Sequence, residues 1–222
     1  ELGAKFVNGS EGLRQPNVLA GLVTGPRYPE QWGGAAEDID FYDVKGDLEA
    51  LFALCGRNGE SAFVAAGHPA LHPGQTAEIR IDGERLGCLG MLHPALEKSL
   101  GFGRTVFLFE LELDKALRRR VPRFTPLSKF PQVRRDLAVV VDQSVTGAEI
   151  IACVRSAGDN LIRRVILFDL YQGSGIAAGR KSVAFGLILQ ADDETLTDAR
   201  VDQAVAVVME RLHNELAAEL RA

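Results

Sequence analysis

Arg135-Asp136-Leu137-Ala138-Val139-Val140-Val141 alternates with a period of two, placing Leu137, Val139 and Val141 on one side and Asp136, Ala138 and Val140 on the other. That periodicity predicts a strand. Downstream, Thr146 or Gly147 opens a helix that runs to Arg155, with Ile150, Ile151 and Val154 on one face. Residues 164–171 form a second strand, and Gly173, Gly175 and Gly179 make a flexible loop. Residues 182–190 form a third strand, and Asp192-Asp193-Glu194 is a polar turn. Thr197 or Asp198 then caps a long helix that buries Val201, Val205, Val208, Leu212 and Leu216. A short strand near 218–221 completes the order β-α-β-β-α-β, the ferredoxin-like split βαβ.

A sheet of this kind carries both helices on one face. The bulky sets are expected to meet them: Leu137, Val139 and Val141, then Ile166, Phe168 and Leu170, then Val183, Phe185, Leu187 and Leu189. The opposite face then holds Asp136, Ala138, Asp169, Tyr171, Ser182, Ala184 and Gly186, a small and mixed set with room for a flat ligand. Tyr171 can stack on a base. Arg134, Arg135, Arg163, Arg164, Arg180 and Lys181 stand at strand ends, where they can meet phosphates or simply be solvated.

Upstream, Arg118-Arg119-Arg120, Val121-Pro122, Pro126 and Pro131 mark a boundary, since prolines at this density resist helix and sheet alike. We divide the chain into residues 1–124 and 125–222. In the first part, residues 18–23 read as a strand and residues 41–54 as a helix with Val44, Leu48, Leu51 and Phe52 inside, Asp43 or Asp47 serving its start. Asp82-Gly83 is a hairpin turn between residues 77–81 and 85–89. Residues 94–100 form a short helix closed by Gly101, residues 106–113 a half-buried strand, and Asp114 caps a last short helix. Strands so close in sequence, with few crossover helices, predict an antiparallel sheet in an α+β layer. Glu1-Leu2-Gly3 reads as the tail of a strand already under way, as expected of a C-terminal fragment of a longer chain.

The 222 residues are 46% hydrophobic and 25% charged, with a net charge of −5. These are ordinary globular values and exclude global disorder. No apolar run approaches the roughly 20 residues of a membrane-spanning helix. Basic and acidic residues number 14 and 17 before residue 125, and 11 and 13 after it. Neither part binds nucleic acid by bulk positive charge, although a local basic site is compatible with the balance. Cys55, Cys88 and Cys153 are scattered and odd in number, which fits a reducing cytoplasm.

Catalytic constellations are not evident. His68 and His72 are separated by Pro69 and followed by Pro73, so they share no helix face as a zinc pair would. These residues and His93-Pro94 read as hydrogen-bonded turns. Cys55 and Cys88 read as small buried hydrophobes. Gly101-Phe102-Gly103-Arg104 lacks the spacing and the Lys-Ser/Thr ending of a phosphate loop. Asp38, Asp40 and Asp43 are explained by a polar helix entry. No catalytic or metal-binding residue is assigned.

The blocks Phe130-Pro131-Gln132-Val133-Arg134-Arg135-Asp136-Leu137-Ala138, Leu167-Phe168-Asp169-Leu170-Tyr171-Gln172-Gly173, Lys181-Ser182-Val183-Ala184-Phe185 and Thr195-Leu196-Thr197-Asp198 occur in this order. Together they resemble the ferredoxin-fold anticodon-binding domain that closes the β subunit of bacterial phenylalanyl-tRNA synthetases. Asp40-Phe41-Tyr42-Asp43-Val44-Lys45-Gly46-Asp47-Leu48-Glu49 resembles the non-catalytic, class II synthetase-like module of the same subunit. So do His72-Pro73-Gly74-Gln75, Leu86-Gly87, Leu89-Gly90 and His93-Pro94. The resemblance implies an α+β chain, a class II-like antiparallel module followed by a ferredoxin-like domain. It implies a tRNA(Phe) partner, an α subunit that carries catalysis in an (αβ)₂ assembly, and ATP and magnesium used by the holoenzyme but not held by this chain. It also implies a cytoplasmic location and RNA contact at Arg134, Asp136, Tyr171, Lys181 and Ser182. The competing reading is a ferredoxin-like regulatory module that binds a small molecule, joined to an α+β partner domain.

Overall fold

The computed structural model describes residues 1–9, 12–121, 124, 126–157 and 160–221. Pro122 and Thr125, which lie at the expected boundary, are outside the described residues. The chain divides into two compact units, Glu1–Arg123 and Phe124–Ala222.

The first unit runs β1 (Leu2–Ala4), β2 (Val7–Gly9), β3 (Gly12–Arg14), β4 (Asn17–Thr24), α1 (Phe41–Leu54), β5 (Ser61–Ala65), β6 (Leu71–Ile81), β7 (Glu84–Leu92), α2 (Pro94–Leu100), β8 (Val106–Glu112) and α3 (Leu113–Ala116). Its sheet has the order β1-β4-β8-β7-β6-β5, antiparallel throughout. The helical spacing of Val44, Leu48 and Phe52 buries one side of α1 against Ile79, Leu89, Phe107 and Leu111. Each such side chain contributes about 1.5–3 kcal/mol. At the helix start Asp43 lies in the first turn, where its charge favours the positive end as expected, but it is not the cap. Asp40, not Asp43 or Asp47, is the N-cap and accepts from the backbone of Tyr42 and Asp43. Asp43 returns the bond to the Asp40 N–H at 2.8 Å, closing a capping box. Asp114 likewise lies in the first turn of α3 and does not cap it; Glu112 is the N-cap, with no side-chain bond. Asp82 and Gly83 both have positive φ (53° and 76°), as the tight turn between β6 and β7 requires.

The second unit runs β9 (Val133–Asp142), α4 (Gly147–Ser156), β10 (Ile162–Tyr171), β11 (Arg180–Leu189), α5 (Asp198–Leu216) and β12 (Glu219–Leu220). Its sheet has the antiparallel order β10-β11-β9-β12, which is the ferredoxin-like interleaving. Thr146 caps α4 and Thr197 caps α5. Both helices pack on one face: Ile150, Val154, Val201 and Val208 share a core with Val139, Val141, Phe185 and Leu187.

One strand departs from the simple alternation. A bulge between Leu167 and Asp169 shifts the β10–β11 register. Val165 and Leu167 therefore pair with Leu187 and Phe185 on the helix face, while Ile166 pairs with Gly186 on the other. Leu170 returns to the helix face opposite Val183. The expectation that Ile166 and Phe168 meet the helices is thus corrected. A bulge inserts one residue and exchanges the two sides beyond it.

Candidate nucleic-acid interface

Register orders the helix-free face of the second unit into ranks across three strands. The first rank is Arg134, Ile188 and Arg164; the second is Asp136, Gly186 and Ile166. Ala138, Ala184 and Asp169 follow, and Val140, Ser182 and Tyr171 make the fourth. No helix of this unit covers these residues among those described.

Arg134 and Asp136 are one pleat apart on the same side of β9, so their side chains meet. Arg134 Nε donates to Asp136 Oδ1 at 2.7 Å, both side chains being about half exposed. The same guanidinium lies 5.5 Å from the ring centroid of Phe168, which shares this side with Ile166 two residues earlier, while the bulge brings Asp169 and Tyr171 to it.

Tyr171 sits in the fourth rank, half-buried. Its hydroxyl donates to the Ser174 carbonyl at 3.1 Å, which holds the ring against the following turn. The Arg221 guanidinium lies 4.9 Å from the Tyr171 centroid and donates to Ser182 Oγ at 3.4 Å. The backbone N–H of Arg221 is bonded to the Ala138 carbonyl, so β12 aims it here. Ser182 is only 2% exposed. It is a support beneath Arg221 rather than a surface donor.

Lys181 does not join this group. It pairs with Val141 on the helix-side register, and its Nζ donates to the Gln143 carbonyl at 2.9 Å. Counting by two from Val183 places Lys181 on that side, a signal already present in the sequence. Several strand-end cations are also engaged. Arg135 pairs with Asp198 at 2.9 Å and Arg163 with Asp192 at 2.5 Å. Arg180 donates to Glu219, Val140 and Ala217 and so pins β12. Among the described residues the Arg164 side chain makes no hydrogen bond or ion pair. It lines a shallow groove of about 320 Å³ with Gln132, Arg163, Ile166 and Ile188. Phe168 and Arg221 belong to the face but escaped sequence reasoning, whereas Gly186 stands on it as expected.

The remaining candidates resolve into local structure. His68, His72 and His93 each accept a backbone N–H two residues on through Nδ1, at 3.2, 3.0 and 3.2 Å. Among the described residues no group of three or more His, Cys, Asp or Glu side chains is placed to hold a metal. No helix among them is long and apolar enough to cross a membrane.

The second unit is thus a ferredoxin-like sheet with one mixed, aromatic- and arginine-bearing face. Residues 128–221 match the family profile described as a ferredoxin-fold anticodon binding domain. Residues 1–113 match that of the phenylalanyl tRNA synthetase beta chain CLM domain. The whole chain is 49% identical over 221 residues to the phenylalanine–tRNA ligase beta subunit of Methylococcus capsulatus, of which it covers 28%. It is 45% identical over 225 residues to that of Dickeya dadantii, again covering 28%. It is 44% identical over 221 residues to that of Pseudomonas savastanoi. The chain belongs to the phenylalanyl-tRNA synthetase β-chain family. It spans little more than a quarter of the length of these relatives.

Proposed function

We propose that this chain is a non-catalytic part of a cytoplasmic phenylalanine–tRNA ligase, in which the second unit lays its helix-free face against the anticodon region of tRNA(Phe). The single observation that carries the reading is the ranked face itself, one-sided and aromatic, in the unit that matches the anticodon-binding profile. Arg134, Asp136 and Tyr171 meet the RNA directly, and Ser182 acts through Arg221. Single-stranded RNA is recognised by stacking and by contacts to base edges, which suits this set. The first unit is a class II synthetase-like module without catalytic machinery. It scaffolds a heterotetramer with two α subunits, consistent with exposed Phe6, Leu22, Tyr28, Trp32, Tyr42 and Leu54. On the same reading, ATP and magnesium are used by the complete ligase rather than held by this chain.

With a net charge of −5 the chain binds tRNA weakly alone, and affinity comes from multivalent contact in the assembly. Mass measurement and tRNA titration, with and without an α subunit, test this. The expected result is a larger particle with tighter tRNA binding; equal mass and equal affinity would contradict it.

A further inference from the structure

Phe168 is 51% exposed on the helix-free side of β10. It lies under Arg134, whose guanidinium is held by Asp136 in the space that Gly186 leaves open. At the other end of the face Arg221 lies over Tyr171 and is held by Ser182. The same device occurs twice: a guanidinium held by an oxygen acceptor, with its carbon within 5.5 Å of an aromatic centroid. Between them the floor is Ala138 and Ala184. Phe168 and Tyr171 are three residues apart on one strand, hence roughly 10 Å apart. Stacked nucleotides are about 3.4 Å apart, so two neighbouring bases in a continuous stack cannot occupy both stations.

Resting on the anticodon reading above, we infer that this face is a two-station platform for single-stranded RNA, holding two bases splayed away from each other. One base stacks at the Phe168–Arg134 pair and the other at the Tyr171–Arg221 pair. Guanidinium planes and aromatic rings both accept a base face irrespective of its identity. Arg164, beside the groove at the first station, supplies a cation for the phosphodiester that enters there.

The test uses the 222-residue chain and a phenylalanine anticodon stem-loop carrying 2-aminopurine at each loop position in turn. Two separated positions are expected to be quenched on binding. Phe168→Leu, which retains apolar bulk without the ring, abolishes quenching at one of them, and Tyr171→Ala abolishes it at the other. Arg134→Lys, which retains charge without the plane, acts at the same position as Phe168→Leu. Each loss of a ring weakens binding by about 5- to 150-fold, and the two losses multiply in the double variant. Unaltered affinity and quenching in both Phe168→Leu and Arg134→Lys, with binding still dependent on Tyr171, would remove the Phe168–Arg134 station and overturn the two-station platform while leaving the anticodon reading standing. A stem-loop that fails to bind the unsubstituted chain at low salt would overturn the anticodon reading and this inference with it.

Discussion

Gly186 stands directly opposite Asp136 in the β9–β11 ladder, and a Cβ there would lie 2.9 Å from Asp136 Oδ1 and 3.1 Å from Arg134 Nε. The missing side chain is what lets the ion pair lie flat on the sheet. Both neighbours are the ends of flexible side chains, so Gly186→Ala displaces the pair without parting the strands. An unchanged or raised melting temperature is expected, since alanine suits a strand better than glycine by about 0.5–1 kcal/mol. Affinity for the anticodon stem-loop should fall several-fold in the same variant. Gly87→Ala is the contrast. Its Cβ would meet the Glu110 carbonyl oxygen, which belongs to the paired backbone, and about 3 kcal/mol or more of stability should be lost.

Phe185 and Phe168 stand on opposite faces of one sheet. Phe185 is fully buried among the helices, and Phe168 is half exposed. Truncation to alanine should cost about 3–5 kcal/mol at Phe185. At Phe168 it should cost about 1 kcal/mol or less. Denaturant unfolding of the two variants measures this directly; comparable losses would mean that the helix-free face is covered.

Much of this architecture was legible because the periodic segments are long and agree with their punctuation. Residues 41–54 carry apolar side chains at helical spacing, and the Asp82-Gly83 turn joins two antiparallel strands as its residues demand, although register shifts at Leu71/Thr76 and Ile79/Arg80 interrupt their ladder. The Asp40…Asp43 spacing of the capping box was also present, but a generic polar entry explained those acids equally well. The bulge at Phe168 left no signal, because Leu167 and Phe168 are both apolar and either can face a core. Arg221 meets Tyr171 only through the pairing of β12 with β9, a relation set by tertiary register across fifty residues.

The capping box of α4 makes a pH-dependent prediction. Glu149 accepts from the backbone N–H of Thr146 at 2.7 Å and from its hydroxyl at 2.7 Å. These bonds hold its carboxyl below the ordinary value of 4.5, the backbone bond contributing most. The unfolded chain therefore takes up this proton first. The stabilisation is fully present above the ordinary value and is lost as pH falls through the lower folded one. Glu149→Gln should melt earlier than the parent at neutral pH and converge with it in acid. Melting curves that stay parallel from pH 7 to pH 3 would contradict this.

Burial, followed by the neighbouring Glu215 carboxylate, pushes the Cys153 thiol up to about 11 from an ordinary 9.0. The thiolate is the nucleophile, so alkylation in the folded chain should be slower by on the order of 100-fold or more than after unfolding. Mass spectrometry of iodoacetamide-treated protein, native and denatured, locates the label. Rapid native labelling of Cys153 would show that α4 and α5 open.

The central claim is that the helix-free face of the second unit bears tRNA, and the most direct measurement is the KM for tRNA(Phe) of the assembled heterotetramer with Tyr171→Ala and Arg134→Ala. Retained ATP–pyrophosphate exchange reports an intact assembly. The account predicts a KM raised by about 5-fold or more for each variant. A KM equal to that of the parent enzyme in both would contradict it.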